Sequence, residues 1–221
     1  MGHLGRLKEE YRDLLARLER GTMSLPEPDA ESARAGRQEI LEIRFTPEEA
    51  ALASRLPVRP TSLDRLAARL GLGAEALAAR LEPMCDRGVV LDLVNPRSGK
   101  RTYMLSPPVV GFFEYSLMRA KDTIPKKRMA EALHAYTHGD PAFAREAFGK
   151  ETVIGRALVH EPELADGPLP DVLAWERASE VVGGARRWAV SLCFCRHKAE
   201  HLGEACDAPM ENCLSLNGGA E

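Results

Sequence analysis

Four of the chain's five cysteines fall in one short segment, at Cys193, Cys195, Cys206 and Cys213. That segment, Trp188 to Leu214, reads WAVSLCFCRHKAEHLGEACDAPMENCL, so the spacing is C-x-C, ten residues, C, six residues, C. Thiols gathered in this way call for a chemical reason. Disulfides belong to oxidising compartments, and the opening MGHLGRLKEEYRDLL has no apolar signal core. Structural zinc usually takes C-x2-4-C hooks or adds His-x3-5-His. Here the first hook is C-x-C and the second pair is wide, but His197 and His201 stand four apart and share a helical face, so a mixed Cys/His zinc site remains the alternative. An iron–sulfur cluster needs four soft thiolate ligands converging from irregular chain. Gly203, Pro209 and the run CDAPMENC suit a segment wrapped around a bulky inorganic core. The favoured expectation is one [4Fe-4S] cluster on these four cysteines.

The neighbouring residues suit a negatively charged cluster–thiolate assembly. Arg196, His197 and Lys198 directly follow the second cysteine. Cationic groups and backbone donors near the sulfurs stabilise that charge and raise the reduction potential. Arg196, His197 and His201 are therefore expected as an outer layer around the ligands. Read alone, the same run is a solvated helix start.

The pattern C-x-C-R-H-x3-H-x-G-x2-C-x2-P-x3-C-L resembles the cluster segment of a group of ferredoxin-like iron–sulfur proteins from anaerobic bacteria and archaea. Upstream, FTPEEAALASRLP (Phe45 to Pro57), GFFEYSLMR (Gly111 to Arg119) and TVIGRALVHE (Thr152 to Glu161) resemble stretches of the same group. The resemblance covers most of the chain, and the cysteine pattern is its specific part. It implies a cluster-binding protein whose relatives continue into further cysteine motifs and a ferredoxin-type domain. This sequence stops at NGGAE (Asn217 to Glu221), so it is expected to be a short form or a fragment without a second cluster.

The elements that must position these residues are read from the remainder of the 221-residue chain. It is 44% hydrophobic, enough for a real core, and only 5% aromatic; Ala, Leu and Arg dominate, which leans helical. The net charge of -3 gives no general attraction for nucleic acid. No apolar run approaches the roughly 20 residues that span a bilayer, so a cytoplasmic protein is expected.

Residues 4–20 have helical spacing and stop at Gly21, and residues 22–39, with Pro26, Pro28 and Gly36, read as a linker. Residues 40–106 read as a compact module. ILEIRF (Ile40 to Phe45) is expected as a short strand. Thr46 caps a helix opening at Pro47, Ser62 or Thr61 caps SLDRLAARL before Gly71, and a third helix spans 73–87 before Gly88. VVLDLV and RTYML then form a hairpin around NPRSGK. Three helices and a hairpin make a winged helix-turn-helix. Its third helix carries Glu75, Glu82 and Asp86 against Arg80 and Arg87, a net negative balance that suits DNA poorly; the wing offers Arg97, Lys100 and Arg101. Cys85, among Leu81, Met84 and Val89, reads as a structural thiol.

Residues 107–187 are expected to be a helical region. PPVVGFFEYSLMR opens it, a basic stretch carries Lys126, Lys127 and Arg128, and Asp140 caps a short helix. His134 and His138 read as surface residues. A further helix is expected at 170–182, and WAVSLCFC alternates like a buried strand that delivers Cys193 and Cys195. The organisation is thus 1–39 (helix and linker), 40–106 (winged-helix-like), 107–187 (helical) and 188–221 (cluster segment), mainly α with a small β component.

No nucleophile–His–acid set, phosphate-binding glycine loop or dinucleotide fingerprint is present, and no enzyme is expected. The leading expectation is an electron carrier or electron-transfer subunit. The alternatives are a redox- or iron-sensing winged-helix regulator that uses the cluster as a switch, and a zinc-stabilised interaction protein. An acidic redox partner protein would dock on Arg97, Lys100, Arg101, Lys126, Lys127 and Arg128. Homo-oligomer formation stays open.

Overall fold

The computed structural model describes residues 8–95, 98–119, 124–151, 155, 157–159 and 177–220. The chain is mainly α with a small β component. Helix α1 (Glu9–Leu18) buries Tyr11, Leu14 and Leu18 against α3 (Pro47–Ala53). The Tyr11 hydroxyl donates to the Phe45 carbonyl at 2.9 Å, which fixes the helix where α2 ends.

Helix α2 (Glu31–Arg44) replaces two expectations, a linker over 22–39 and a strand at Ile40–Phe45, and it runs through the expected 39/40 boundary. Its buried residues are Ala33, Gly36, Arg37, Ile40, Leu41 and Arg44, one continuous helical face. A six-residue window over ILEIRF cannot reveal a face that begins at Ala33. The stripe packs along α7 (Lys126–His138) so closely that a Cβ on Gly36 would lie 2.6 Å from the Ala132 carbonyl oxygen. Residues 22–30 are also pinned to the body. Asp140 accepts from the backbone N–H groups of Asp29 and Ala30 at 2.9 and 3.0 Å, and Tyr136 donates to the Pro26 carbonyl at 3.1 Å.

Thr46 and Glu49 form a reciprocal capping box that starts α3, with Pro47 in the first turn. Then come β1 (Thr61–Ser62), α4 (Leu63–Leu70), α5 (Ala74–Asp86), β2 (Val90–Val94) and β3 (Arg101–Leu105). The left-handed Gly71, at φ 68°, ends α4. The three strands form one antiparallel sheet in the order β1-β3-β2, with Thr61 opposite Tyr103 and Val90 opposite Leu105. Helix α6 (Phe113–Met118) follows an irregular entry, then α7 and α8 (Pro141–Phe148), the last capped by the Asp140 carboxylate on Ala142 N–H at 2.8 Å. Phe112, Phe113, Tyr136 and Phe143 join these helices through a run of ring contacts. One apolar core extends from Tyr11 to Tyr136. Of the expected 170–182 helix, the part up to 176 lies outside the described residues; α9 (Ala178–Gly183) begins after an extended Arg177. The TVIGRALVHE stretch also falls largely outside them. Among the described residues no helix is long and apolar enough to cross a membrane.

The basic groups assigned to docking are unequal. Arg97 lies outside the described residues. Lys100 is exposed, but Arg101 reaches Asp92 at 3.4 Å and Glu82 at 3.7 Å, so the neighbouring strand β2 and helix α5 hold its guanidinium. Arg128 pairs with Glu39 across the α2–α7 contact at 2.7 Å, and Lys126 donates to the Arg119 carbonyl. Lys127 is exposed.

Candidate iron–sulfur site

The cysteine segment folds as a hairpin with a helix inserted in its connection. Strand β4 (Trp188–Leu192) pairs antiparallel with β5 (Glu211–Leu216), with Trp188 opposite Leu216 and Ser191 opposite Cys213. Between them lie α10 (Phe194–Leu202) and the exposed loop 203–209. Gly203, left-handed at φ 76°, turns the chain out of the helix.

The buried strand expected over WAVSLCFC is corrected in two respects. It ends at Leu192, so Cys193 and Cys195 sit at the entry of a helix. It is also exposed, Trp188 by 53% and Val190 by 64%, because among the described residues no second layer covers that face of the two-stranded sheet. Cys193 is the N-cap of α10 and accepts from the Arg196 N–H at 3.5 Å, while its own N–H donates to the Met210 carbonyl at 2.7 Å. The turn at the head of the helix is thereby stitched to the start of β5, which carries Cys213.

Arg196 joins the two halves of the motif. Its Nε donates to Cys206 Sγ at 3.2 Å, and its guanidinium also bonds the Pro209 carbonyl. This contact holds the Cys206 thiol below the usual thiol range. Burial, followed by the nearby Cys193, pushes the Cys195 thiol up; Cys213 adds to this and Lys198 opposes it. All four thiols thus lie within electrostatic reach of one another or of Arg196. All five cysteines are free thiols. Among the described residues no group of three or more His, Cys, Asp or Glu side chains is arranged to hold a metal ion.

The two histidines of the motif lie where α10 meets the helical core. His197 is buried, and its Nδ1 lies 2.7 Å from the Leu117 carbonyl of α6, so it fastens α10 to the helical core. His201 stands beside it, ring centroids 4.9 Å apart, with Nε2 buried and without a hydrogen-bond partner. Burial, then His197, lowers the His201 pKa; Lys126 and Lys127 contribute in the same direction, which places the α7 N-terminus beside the end of α10. His134 and His138 stack at 4.6 Å and are exposed, as expected.

Cys85 is half-buried against the core, and burial pushes its thiol up to about 12. Reduced, metal-free protein treated with limiting iodoacetamide near neutral pH is expected to modify Cys206 first and Cys85 last, since the thiolate is the nucleophile. Arg196→Leu should slow Cys206 several-fold and leave Cys85 unchanged; peptide mass mapping reads both. Equal rates at the two sites would contradict the Arg196 contact.

Sequence reading missed Glu114 and took Lys198 only as a charge beside the sulfurs. Glu114 accepts from Gly111 N–H at 2.8 Å, and burial raises its carboxyl pKa. Lys198 is half-buried, and burial lowers its pKa. A lone acid inside the aromatic run GFFEYS was the available signal for the first.

Comparison with protein families, characterised proteins and solved structures finds no match for this chain.

Proposed function

We propose that the chain is an iron–sulfur protein that holds one [4Fe-4S] cluster on Cys193, Cys195, Cys206 and Cys213 and serves as an electron carrier or electron-transfer subunit. The observation that carries this reading is the bridge made by Arg196, whose backbone N–H meets Cys193 and whose side chain meets Cys206. One residue gathers both halves of the motif and presents donors to two of its sulfurs. The donor set fits: four free thiols within one lobe, drawn from a helix entry, a loop and a strand. A lone zinc ion would require donors within about 2.3 Å of a single point. The C-x-C hook and the widely spaced second pair of cysteines suit a polynuclear centre better than a zinc site.

When bound, the cluster supplies one-electron chemistry. The chain's own groups tune it. Arg196 and the first-turn N–H groups of α10 favour anionic sulfur, Lys198 adds positive charge toward Cys195, and the exposed loop around Cys206 leaves one side accessible to a partner. Cations in the first turn of α7 oppose the helix macrodipole and so do not serve that helix's stability. Lys126 and Lys127 flank α10, and we assign them to docking of an acidic redox protein. The cytoplasm is the reducing compartment that such a site requires. Anaerobic reconstitution with iron and sulfide, followed by visible and electron paramagnetic resonance spectra, tests the proposal. A reducible brown species supports it, and a colourless zinc protein opposes it.

The regulator reading finds little support in charge. We read the order of α3, α4, α5 and the β2–β3 hairpin as winged-helix-like, but the exposed side chains of α5 include Glu75, Glu82 and Asp86 against Arg80. Arg101 is held by acids of its own module. Since log affinity for duplex DNA scales as about -0.9Z with log salt for Z neutralised phosphates, so few free cations give weak binding. Gel-shift assays with genomic fragments at physiological salt, with and without cluster, are expected to show no retarded band. A tight, sequence-specific complex that responds to cluster oxidation would establish the regulator instead.

A further inference from the structure

A cavity of about 280 Å³ lies between α6, α7, α8 and α10, on the core side of the cysteine segment. Its apolar wall is largely aromatic: Phe113, Phe143 and Phe194, with Leu133 and Ala147. Its polar groups are few, as in small-molecule sites, and the volume lies just below the usual range of about 300–1,000 Å³. One ring with a short chain is the size of guest it admits.

The cavity's polar groups differ in what they already bond; Lys198 has only longer-range attraction to Cys195 and Glu204. The Thr137 hydroxyl donates to the Leu133 carbonyl at 2.7 Å and therefore accepts from His138 Nδ1, also at 2.7 Å. Glu114 already accepts from Gly111 N–H at 2.8 Å. Lys198, on the cavity wall, makes no hydrogen bond or ion pair among the described residues. A half-buried ammonium facing an aromatic cavity favours an anion, and its hydrogen bond to a carboxylate is charge-assisted.

We infer that this cavity binds an aryl carboxylate, its ring packed among Phe113, Phe143 and Phe194 and its carboxylate on the Lys198 ammonium. Lys198 and Phe194 share a face of α10 on either side of Cys195, so the bound anion lies within electrostatic reach of that thiol. The cavity's walls are side chains of the protein itself.

The test uses 3-phenylpropionate and its neutral amide as probes, titrated by protein-observed NMR into the full chain, metal-free and reconstituted, with iron content measured in both. The acid is expected to bind saturably, with shifts at Phe194 and Ala147, and about tenfold or more tighter than the amide. Lys198→Met should remove that preference. Ala144→Trp, at an exposed position on the cavity rim, should abolish binding of both probes. No saturable binding of the acid, equal affinity for acid and amide, or an unchanged preference in Lys198→Met would each overturn the inference. Should Ala144→Trp fail to fold by circular dichroism, the Lys198→Met comparison decides alone. Binding by metal-free protein separates this inference from the cluster proposal, since either can fail without the other.

Discussion

Cys206→Ala protein, reconstituted anaerobically, is expected to come through desalting colourless and without bound iron, whereas Cys85→Ala protein keeps both colour and iron. Cys206 is the thiol that Arg196 holds against the rest of the segment, and it is the one driven toward thiolate. In the proposed site its removal would leave three thiolates, with the vacated position on an exposed loop open to water. It also removes no core packing, so the metal-free variant should match the parent within about 0.5 kcal/mol in denaturant unfolding. Loss of iron would then report ligation and not misfolding. Cys85 lies on α5, half-buried, with a thiol that does not ionise near neutral pH. Iron retained by Cys206→Ala and lost by Cys85→Ala would mean a different ligand set.

Phe113→Ala is expected to lower unfolding free energy by about 3–5 kcal/mol, the range for deleting a buried phenylalanine ring. Phe113 is 2% exposed and lies at the crossing of three helices. Its ring meets Phe112 at 5.4 Å, Phe143 at 6.1 Å and Tyr136 at 6.3 Å between centroids. Truncation removes those contacts and opens the neighbouring cavity further, and helices on three sides limit collapse. Guanidinium unfolding of metal-free protein measures the change. A loss below about 1 kcal/mol would contradict the packing of α6 against α7 and α8.

Local punctuation made much of the fold legible. Thr46-Pro47, Gly71 and Asp140-Pro141 each mark a helix end by capping chemistry that acts within a few residues, and each marks it in the structure. The β2–β3 hairpin was readable for the same reason. Misread positions depend on distant partners. Ile40–Phe45 looks extended alone, but Ile40–Arg44 is helical because Gly36 lets α2 lie against α7. The bond of His197 to the Leu117 carbonyl, 80 residues earlier, is likewise invisible to any local window. Arg101 looks free until Glu82 and Asp92 converge on it. At the site, the cysteine spacing and Arg196 carried the chemical reading, but the cavity did not show in the sequence because its walls come from four separate helices.

The most direct test of the cluster is iron and acid-labile sulfide per chain after anaerobic reconstitution and gel filtration. The account predicts about four of each per chain, and neither in Cys206→Ala. Stoichiometric zinc with no sulfide, under the same conditions, would contradict it.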